Sequence, residues 1–154
     1  MKVEIYSRKA IEKLKSTGFP TNTAVISFFT PTNKNNCEKN RVDYSDVCKR
    51  VFFVEAPDID IEILSDYGYT YETYLTEAPA LAEFIRKAVT DGFDIICQCD
   101  YGQSRSAACA AAILQCYEAR GIDIFVDYRY YPNQLVYHKV FESLSKCAKA
   151  VENN

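Results

Sequence analysis

The chain has 154 residues, of which 48% are hydrophobic and 25% are charged, with 18 basic and 21 acidic side chains that leave a net charge of −3. This composition is typical of a globular domain and argues against a disordered, collagen-like or coiled-coil protein. The acidic balance gives nucleic acid or an anionic membrane surface no global electrostatic attraction, and no apolar run approaches the roughly 18 residues of a membrane-spanning helix. We therefore expect one domain over residues 1–154, with no nucleic acid and no membrane as partners.

The first half of the chain predicts three strands and one helix. Residues 2–6 form a short candidate strand, and residues 7–16 follow as a helix. Thr23–Phe29 is rich in β-branched and aromatic residues, which favours a buried strand. Residues 30–47 are polar and rich in Asn and Lys, which indicates a surface loop. Residues 50–56 return to strand character.

The second half continues the alternation of strands and helices. Residues 58–72 are acidic and rich in tyrosine, and we expect them to form a loop or lid. Apolar residues at helical spacing predict a helix over 72–90. Residues 93–98 form a continuous apolar run, as in a central strand, and residues 104–120 are an Ala-rich helix stopped by glycine. Pro132 opens a last helix. The predicted fold class is α/β, with a central, mostly parallel sheet flanked by helices.

The segment Cys99-Asp100-Tyr101-Gly102-Gln103-Ser104-Arg105-Ser106 joins the central strand to the Ala-rich helix. A loop that runs from a strand into a helix start points several backbone N–H groups at one place, where the helix dipole adds positive charge. Gly102 permits a tight turn, and Arg105 can offer two parallel donors to a phosphate. Ser106 can donate a hydrogen bond to the Cys99 sulfur. The positive charge of the helix start and of Arg105 would also stabilise a thiolate, so Cys99 is a candidate nucleophile.

Cys99, five residues and then Arg105 and Ser106, with Gly102 in the middle, resemble the signature loop of the cysteine-dependent protein tyrosine phosphatase superfamily. The Gly-x-Ser-Arg-Ser ending resembles that of its compact dual-specificity branch. The resemblance implies a protein tyrosine phosphatase-like fold in which Cys99 forms a phosphocysteine intermediate and Arg105 binds the phosphoryl group. It further implies that the rest of the loop binds substrate, namely Asp100, Tyr101, Gly102, Gln103, Ser104 and Ser106.

The resemblance also implies an aspartate, on a loop after an upstream strand, that protonates the leaving oxygen. Asp58 is our first choice because it comes soonest after the strand end, while Asp60 and Asp66 remain alternatives. The family usually has His before the nucleophile, where this chain has Gln98. Asn133, after Pro132, resembles a family element that braces the signature loop.

The remaining thiols and the single histidine are interpreted as structural. We expect Cys97 to be a buried core thiol rather than half of a redox disulfide with Cys99, and His138 to take no part in chemistry. Without a CxxC pair or several histidines, no metal site is expected. An odd cysteine count and a first segment without an apolar signal favour a reducing cytoplasm. The tyrosines could line a cleft or simply pack: Tyr67, Tyr69, Tyr71, Tyr74, Tyr128, Tyr130 and Tyr131.

We therefore predict a cytoplasmic phosphomonoester hydrolase that needs no metal or organic cofactor. The free side chains of the loop contain no Lys or Arg, which favours a phosphotyrosyl protein over a polyphosphorylated substrate, with a small phosphomonoester also open. A first alternative is a catalytically weak module of the same fold that binds phosphate or a phosphopeptide. A second is arsenate reduction or sulfur transfer with Cys109 or Cys116 as the resolving thiol.

Overall fold

The computed structural model describes residues 1–30 and 40–152, with side chains described up to residue 146. The four strands and the main helices lie where the sequence pattern predicts them, within a few residues, and a short helix, α4, is added before the last one. The elements are β1 (Val3–Ser7), α1 (Arg8–Thr17), β2 (Thr23–Phe29), β3 (Val51–Glu55), α2 (Ala78–Thr90), β4 (Asp94–Cys99), α3 (Arg105–Glu118), α4 (Ile122–Phe125) and α5 (Gln134–Glu152).

The strands form one sheet in the order β1-β4-β2-β3, and every neighbouring pair is parallel. Ser7 at the end of β1 pairs in register with Cys99 at the end of β4, and Phe29 at the end of β2 pairs with Glu55 at the end of β3. The carboxyl ends of all four strands therefore meet at one edge, which is where open parallel sheets bind ligands. This confirms the predicted α/β class and its parallel sheet.

Both faces of the sheet are covered, which explains the continuous apolar runs of β2 and β4. Helices α2, α3 and α5 pack on one face in the larger core cluster, where Ile26, Ile95 and Leu81 are 0–1% exposed. Small side chains dominate the buried face of α3, from Ala107 to Ala112, so this helix lies close against the sheet.

Helix α1 covers the other face together with part of the polar segment that the sequence assigns to the surface. Val42 and Tyr44 are buried beside Ile11, Val25 and Ile96. The prediction of a surface loop over residues 30–47 is therefore wrong for the part from residue 40 onwards, because this part fills a gap that α1 leaves on the sheet. Residues 31–39 lie outside the described residues.

Two helix boundaries also differ from the prediction. Helix α2 begins at Ala78 instead of residue 72, because Pro79 fits the first turn of a helix and residues 71–77 form turns, with Leu75 at a φ of 52°. Helix α3 ends at Glu118 instead of residue 120, and Ala119 after it takes the left-handed cap conformation in place of the glycine that we expected to stop the helix. A Cβ on Gly121 would lie 2.7 Å from the Ala111 carbonyl oxygen, so close packing requires this glycine.

The acidic segment between β3 and α2, which we expected to be a loop or lid, is a loop with local helical structure. It contains two short 3-10 turns, Ile61–Ile63 and Ser65–Tyr67. Tyr74 anchors its base, since the buried hydroxyl donates to the Pro57 carbonyl oxygen at 2.9 Å.

Among the described helices, none combines the length and the apolar character that crossing a bilayer requires.

Gly102 is the point at which the loop after β4 touches the junction of β1 and α1. Its φ is +68°, and a Cβ there would lie 2.5 Å from the Ser7 backbone nitrogen and 2.8 Å from the Tyr6 carbonyl carbon. The Arg8 backbone N–H donates to the Asp100 carbonyl oxygen at 3.1 Å in the same place. Because these contacts are between backbone atoms, neither the loop nor the junction of β1 and α1 can easily move aside to make room for a Cβ.

We predict that Gly102→Ala lowers the free energy of unfolding by about 2–5 kcal/mol, since left-handed strain and overpacking add together. The matched control is Gly68→Ala, because Gly68 has a φ of +77° and open space around its missing Cβ. That control should lose only the conformational part, about 1–2 kcal/mol. Equal losses in urea denaturation of the two variants would contradict the close approach.

Candidate active site

The sulfur of Cys99 lies at the centre of the loop that connects β4 to α3. Cys99 is the last residue of β4 and is 1% exposed, and Arg105 is the first residue of α3. The Gly102 backbone N–H points back and donates to Cys99 Sγ at 3.3 Å. The loop therefore curls around the sulfur, as the motif predicts for an anion-binding loop.

Ser106 provides a second contact to the same sulfur. Its Oγ lies 3.0 Å from Cys99 Sγ, and the serine is fully buried. When Cys99 is a thiolate it can only accept, so the hydroxyl must donate, and hydrogen bonds to a charged acceptor are the stronger kind. Ser106 is thus placed to donate to the sulfur of Cys99 when that residue is ionised.

The first turn of α3 leaves backbone donors directed at the loop. Ser104 occupies the N-cap position but makes no side-chain cap hydrogen bond. Its hydroxyl donates instead to Asp58 Oδ1 at 2.7 Å. The opening N–H groups of a helix have no partner inside the helix, and the dipole makes this end positive, so an anion is the natural acceptor here.

Arg105 is buried, with its side chain 3% exposed, and it reaches the ends of two strands. Nη1 donates to the Ala56 carbonyl oxygen at 2.7 Å and to Thr30 Oγ1 at 3.0 Å. Nη2 donates to Asp100 Oδ2 at 2.9 Å, and Nε is buried without a hydrogen-bond partner among the described residues. The guanidinium is therefore fixed at the edge of the loop, with one side anchored by the fold.

Asp58 is the aspartate that contacts the loop. Its Oδ1 accepts from Ser104 Oγ and, at 3.1 Å, from Asn133 Nδ2. Asn133 also donates to the Ile59 carbonyl oxygen at 2.8 Å and caps α5 by accepting from the Val136 N–H at 2.9 Å. One buried asparagine thus joins the Asp58 loop to the last helix and to the signature loop.

The other two aspartates have local contacts of a different kind. Asp60 accepts from the Ile61 backbone N–H at 2.7 Å and starts the first 3-10 turn. Asp66 lies in the second 3-10 turn. Of the three candidates, only Asp58 has a hydrogen bond to the signature loop recorded in the described structure.

Gln98, where the family usually has histidine, is held by two hydroxyl groups. Its Oε1 accepts from Ser27 Oγ at 2.6 Å and from the Tyr44 hydroxyl at 2.9 Å, and Gln98 is 1% exposed. Burial raises the pKa of Tyr44 well above its ordinary value, so this hydroxyl remains a donor at any physiological pH. Gln98 is consequently held by Ser27 of β2 and by Tyr44.

Several contacts in the site are not assigned by the sequence analysis. Thr30 and Ala56 directly follow β2 and β3, so the rule that parallel strands present ligands at their carboxyl ends could have suggested them. The sequence gives less indication that Ser27 and Tyr44 contact Gln98. Alternating apolar residues at Val42 and Tyr44 indicate a buried segment but do not reveal where it packs.

The other described cysteines are free thiols with structural surroundings. Cys97 is fully buried, and a hydrogen bond with Cys109 together with burial raises the pKa of Cys97 well above the ordinary range, as expected for a core thiol. Cys48 donates to backbone carbonyl oxygens near the start of β2, and Cys116 packs against the larger core cluster. Cys37 and the Cys147 side chain lie outside the described residues.

The tyrosines divide between the two roles that the sequence left open. Tyr74 is buried and packs edge-on against Tyr69 beneath the Asp58 loop. Tyr128 and Tyr131 are 88% and 73% exposed, and the Tyr131 backbone N–H donates to the Gln103 carbonyl oxygen at 2.9 Å. The segment before α5 therefore borders the signature loop.

His138 and the acidic groups with described side chains show no arrangement for binding a metal ion. His138 is exposed on α5 and contacts the ring of Tyr137. Within residues 1–30 and 40–152, no three His, Cys, Asp or Glu side chains come together in the way that would hold a metal ion.

Comparisons with known proteins identify the fold through structure alone. No protein-family model matches the chain, and no curated protein sequence matches it significantly. The human DUSP28 structure is 13% identical with a TM-score of 0.56, and the match covers 96% of this chain and 94% of that one. The structure of PTPMT1 in complex with PI(5)P is 12% identical with a TM-score of 0.55, covering 97% and 94%.

A third structure, human tyrosine phosphatase-like serine/threonine/tyrosine-interacting protein, is 15% identical with a TM-score of 0.52, covering 96% of this chain and 87% of that one. These matches extend over nearly the whole chain. The chain has the fold that these phosphatase and phosphatase-like structures share.

Proposed function

We propose that the chain is a phosphomonoester hydrolase in which Cys99 forms a phosphocysteine intermediate. The observation that carries this proposal is the convergence of donors on one buried sulfur. Gly102 N and Ser106 Oγ lie 3.3 Å and 3.0 Å from Cys99 Sγ, and the buried Arg105 guanidinium borders the same loop. Such donors stabilise both a thiolate and the phosphate that it attacks.

In the first step, the Cys99 thiolate attacks phosphorus in line with the ester oxygen. The sulfur–phosphorus bond forms as the phosphorus–oxygen bond breaks. Arg105 and the backbone N–H groups at the start of α3 bind the remaining phosphoryl oxygens, which carry the charge in the transition state. Because the loop holds these donors in place before substrate arrives, little reorganisation is needed during the reaction.

Asp58 acts as the general acid of this step. Both of its hydrogen bonds to Ser104 and Asn133 reach Oδ1. Oδ2 can therefore carry the proton that passes to the leaving oxygen as the ester bond breaks. In the second step, a water molecule attacks the phosphocysteine, Asp58 takes a proton from it, and inorganic phosphate and the thiolate are released. Ser106 stabilises that departing thiolate by donating to it.

The favoured substrate is a phosphotyrosyl protein, with a small phosphomonoester as the alternative. Exposed Tyr101 and Tyr131 border the loop and provide aromatic surface next to the phosphate position. The proposed reaction needs no metal or organic cofactor, because the chain supplies the nucleophile, the acid and the phosphate donors. We place its action in a reducing cytoplasm, where an activated thiol persists.

Cys99→Ser should abolish hydrolysis of an aryl phosphate while the protein still binds phosphate, because the hydroxyl fits the site but is a far weaker nucleophile. Initial rates of phenol release measure the first effect, and calorimetry with inorganic phosphate measures the second. The control is Cys48→Ser, a half-buried thiol near the start of β2. Full activity in Cys99→Ser, or its loss in Cys48→Ser, would refute Cys99 as the nucleophile.

Asp58→Asn should lower kcat by about 10²–10⁴-fold for phosphotyrosine but much less for an activated nitrophenyl phosphate, whose leaving group needs little protonation. Asparagine keeps Oδ1 as an acceptor for Ser104 and Asn133, so the loop contacts persist. Asp60→Asn is the matched control, because asparagine caps the 3-10 turn as well as aspartate does. A phosphotyrosine rate that falls in Asp60→Asn and not in Asp58→Asn would assign the acid to Asp60.

A further inference from the structure

The residue that follows the nucleophile carries a negative charge into the phosphate-binding loop. The Asp100 carboxylate pairs with the Arg105 guanidinium, with 2.9 Å between Oδ2 and Nη2. The arginine side chain is 3% exposed and the aspartate side chain is 37% exposed. The pair therefore lies at the mouth of the site, with its cation inside and its anion towards solvent.

The contacts of Arg105 show which of its donors remain for a ligand. Nη1 is used by the Ala56 carbonyl oxygen and Thr30 Oγ1. A two-pronged phosphate contact then needs the opposite edge, formed by Nε and Nη2. Asp100 takes Nη2, while Nε is buried without a hydrogen-bond partner in the described structure. Asp100 therefore accepts from one of the two nitrogens that a phosphate would bind and competes with it for that edge.

We propose that Asp100 is a specificity-determining residue that competes with phosphate for Arg105 and restricts the substrate by its charge. The inference rests on the proposed function, because it assigns a substrate class to the same site. That class is a phosphotyrosyl protein segment with basic residues beside the phosphotyrosine. A ligand with several phosphates is disfavoured.

The negative charge around the loop supports a substrate with basic residues beside the phosphotyrosine. When phosphate takes Nη2, the Asp100 carboxylate loses its partner but remains tethered next to Cys99. Further negative charge on the substrate would meet this carboxylate, whereas a lysine or arginine of the substrate could pair with it. Residues 56–66 across the loop add acidic side chains, including Asp58 and Asp60, and contain no Lys or Arg.

Two nearby arginines have other hydrogen-bond partners. Arg8 approaches the loop through its backbone, but its guanidinium donates to the carbonyl oxygens of Asn40 and Arg41. Arg129, on the segment that borders the loop, is paired with Asp127. Within residues 1–30 and 40–146, neither guanidinium is recorded donating to Asp100, so a cation of the substrate could pair with that carboxylate.

Calorimetry of inorganic phosphate binding tests the competition without requiring turnover. Asp100→Asn should bind phosphate about 3–10-fold more tightly than the wild type, which corresponds to about 0.6–1.4 kcal/mol. Asp123→Asn is the matched control, since it removes the same charge from an Asp–Arg pair with Arg120 beyond the other end of α3. This variant should bind phosphate as the wild type does.

Turnover of two phosphotyrosyl peptides tests the specificity. The peptides differ only in carrying Lys or Glu on both sides of the phosphotyrosine. The wild type should favour the Lys peptide in kcat/KM by about tenfold, and Asp100→Asn should reduce this preference at least threefold, mainly through KM. An inositol bisphosphate is the polyanionic comparison and should be a poorer substrate than the Lys peptide.

Phosphate binding that is no tighter in Asp100→Asn than in the wild type would overturn the competition, as would equal tightening in Asp123→Asn. An unchanged peptide preference in Asp100→Asn, or faster turnover of the inositol bisphosphate, would overturn the specificity. Failure of the proposed function has a different signature, because the wild type would then bind phosphate and hydrolyse none of the three ester substrates.

Discussion

The buried charge of Arg105 is the interaction on which the whole site depends. A guanidinium removed from water is costly unless acceptors surround it, and this one is 3% exposed. The acceptors come from the residues that follow β2 and β3 and from the loop after β4. The order of the parallel strands therefore has to be right before the arginine can be buried. Formation of the sheet therefore brings together the acceptors that surround Arg105.

The site was predictable where it is local in sequence. Cys99, Gly102, Arg105 and Ser106 lie within eight consecutive residues, and the strand and helix on either side carry clear hydrophobic patterns. Backbone geometry alone then dictates that the loop curls around the sulfur. The strands were predicted to within a residue or two at their ends for the same reason, since an alternating or continuous apolar run reflects burial directly.

The rest depends on contacts between residues that are far apart in the chain. Asp58 lies 46 residues from Ser104, and Tyr44 lies 54 residues from Gln98. The periodicity of a sequence does not reveal contacts between such distant residues. Three aspartates therefore remained candidates for the general acid, and the burial of Tyr44 was not predicted. The predicted start of α2 was wrong for a different reason. The apolar spacing of the helix continues into the turns before it, and Pro79 marks the first turn, which the spacing alone does not locate.

The hydroxyl groups that hold Gln98, the residue before Cys99, do not change their charge between acidic and neutral pH. Serine and glutamine do not titrate, and burial keeps the Tyr44 phenol protonated by raising its pKa. A histidine in the same place would gain or lose a proton near neutrality. The hydrogen bonds that hold Gln98 before Cys99 therefore do not depend on a group that titrates between acidic and neutral pH.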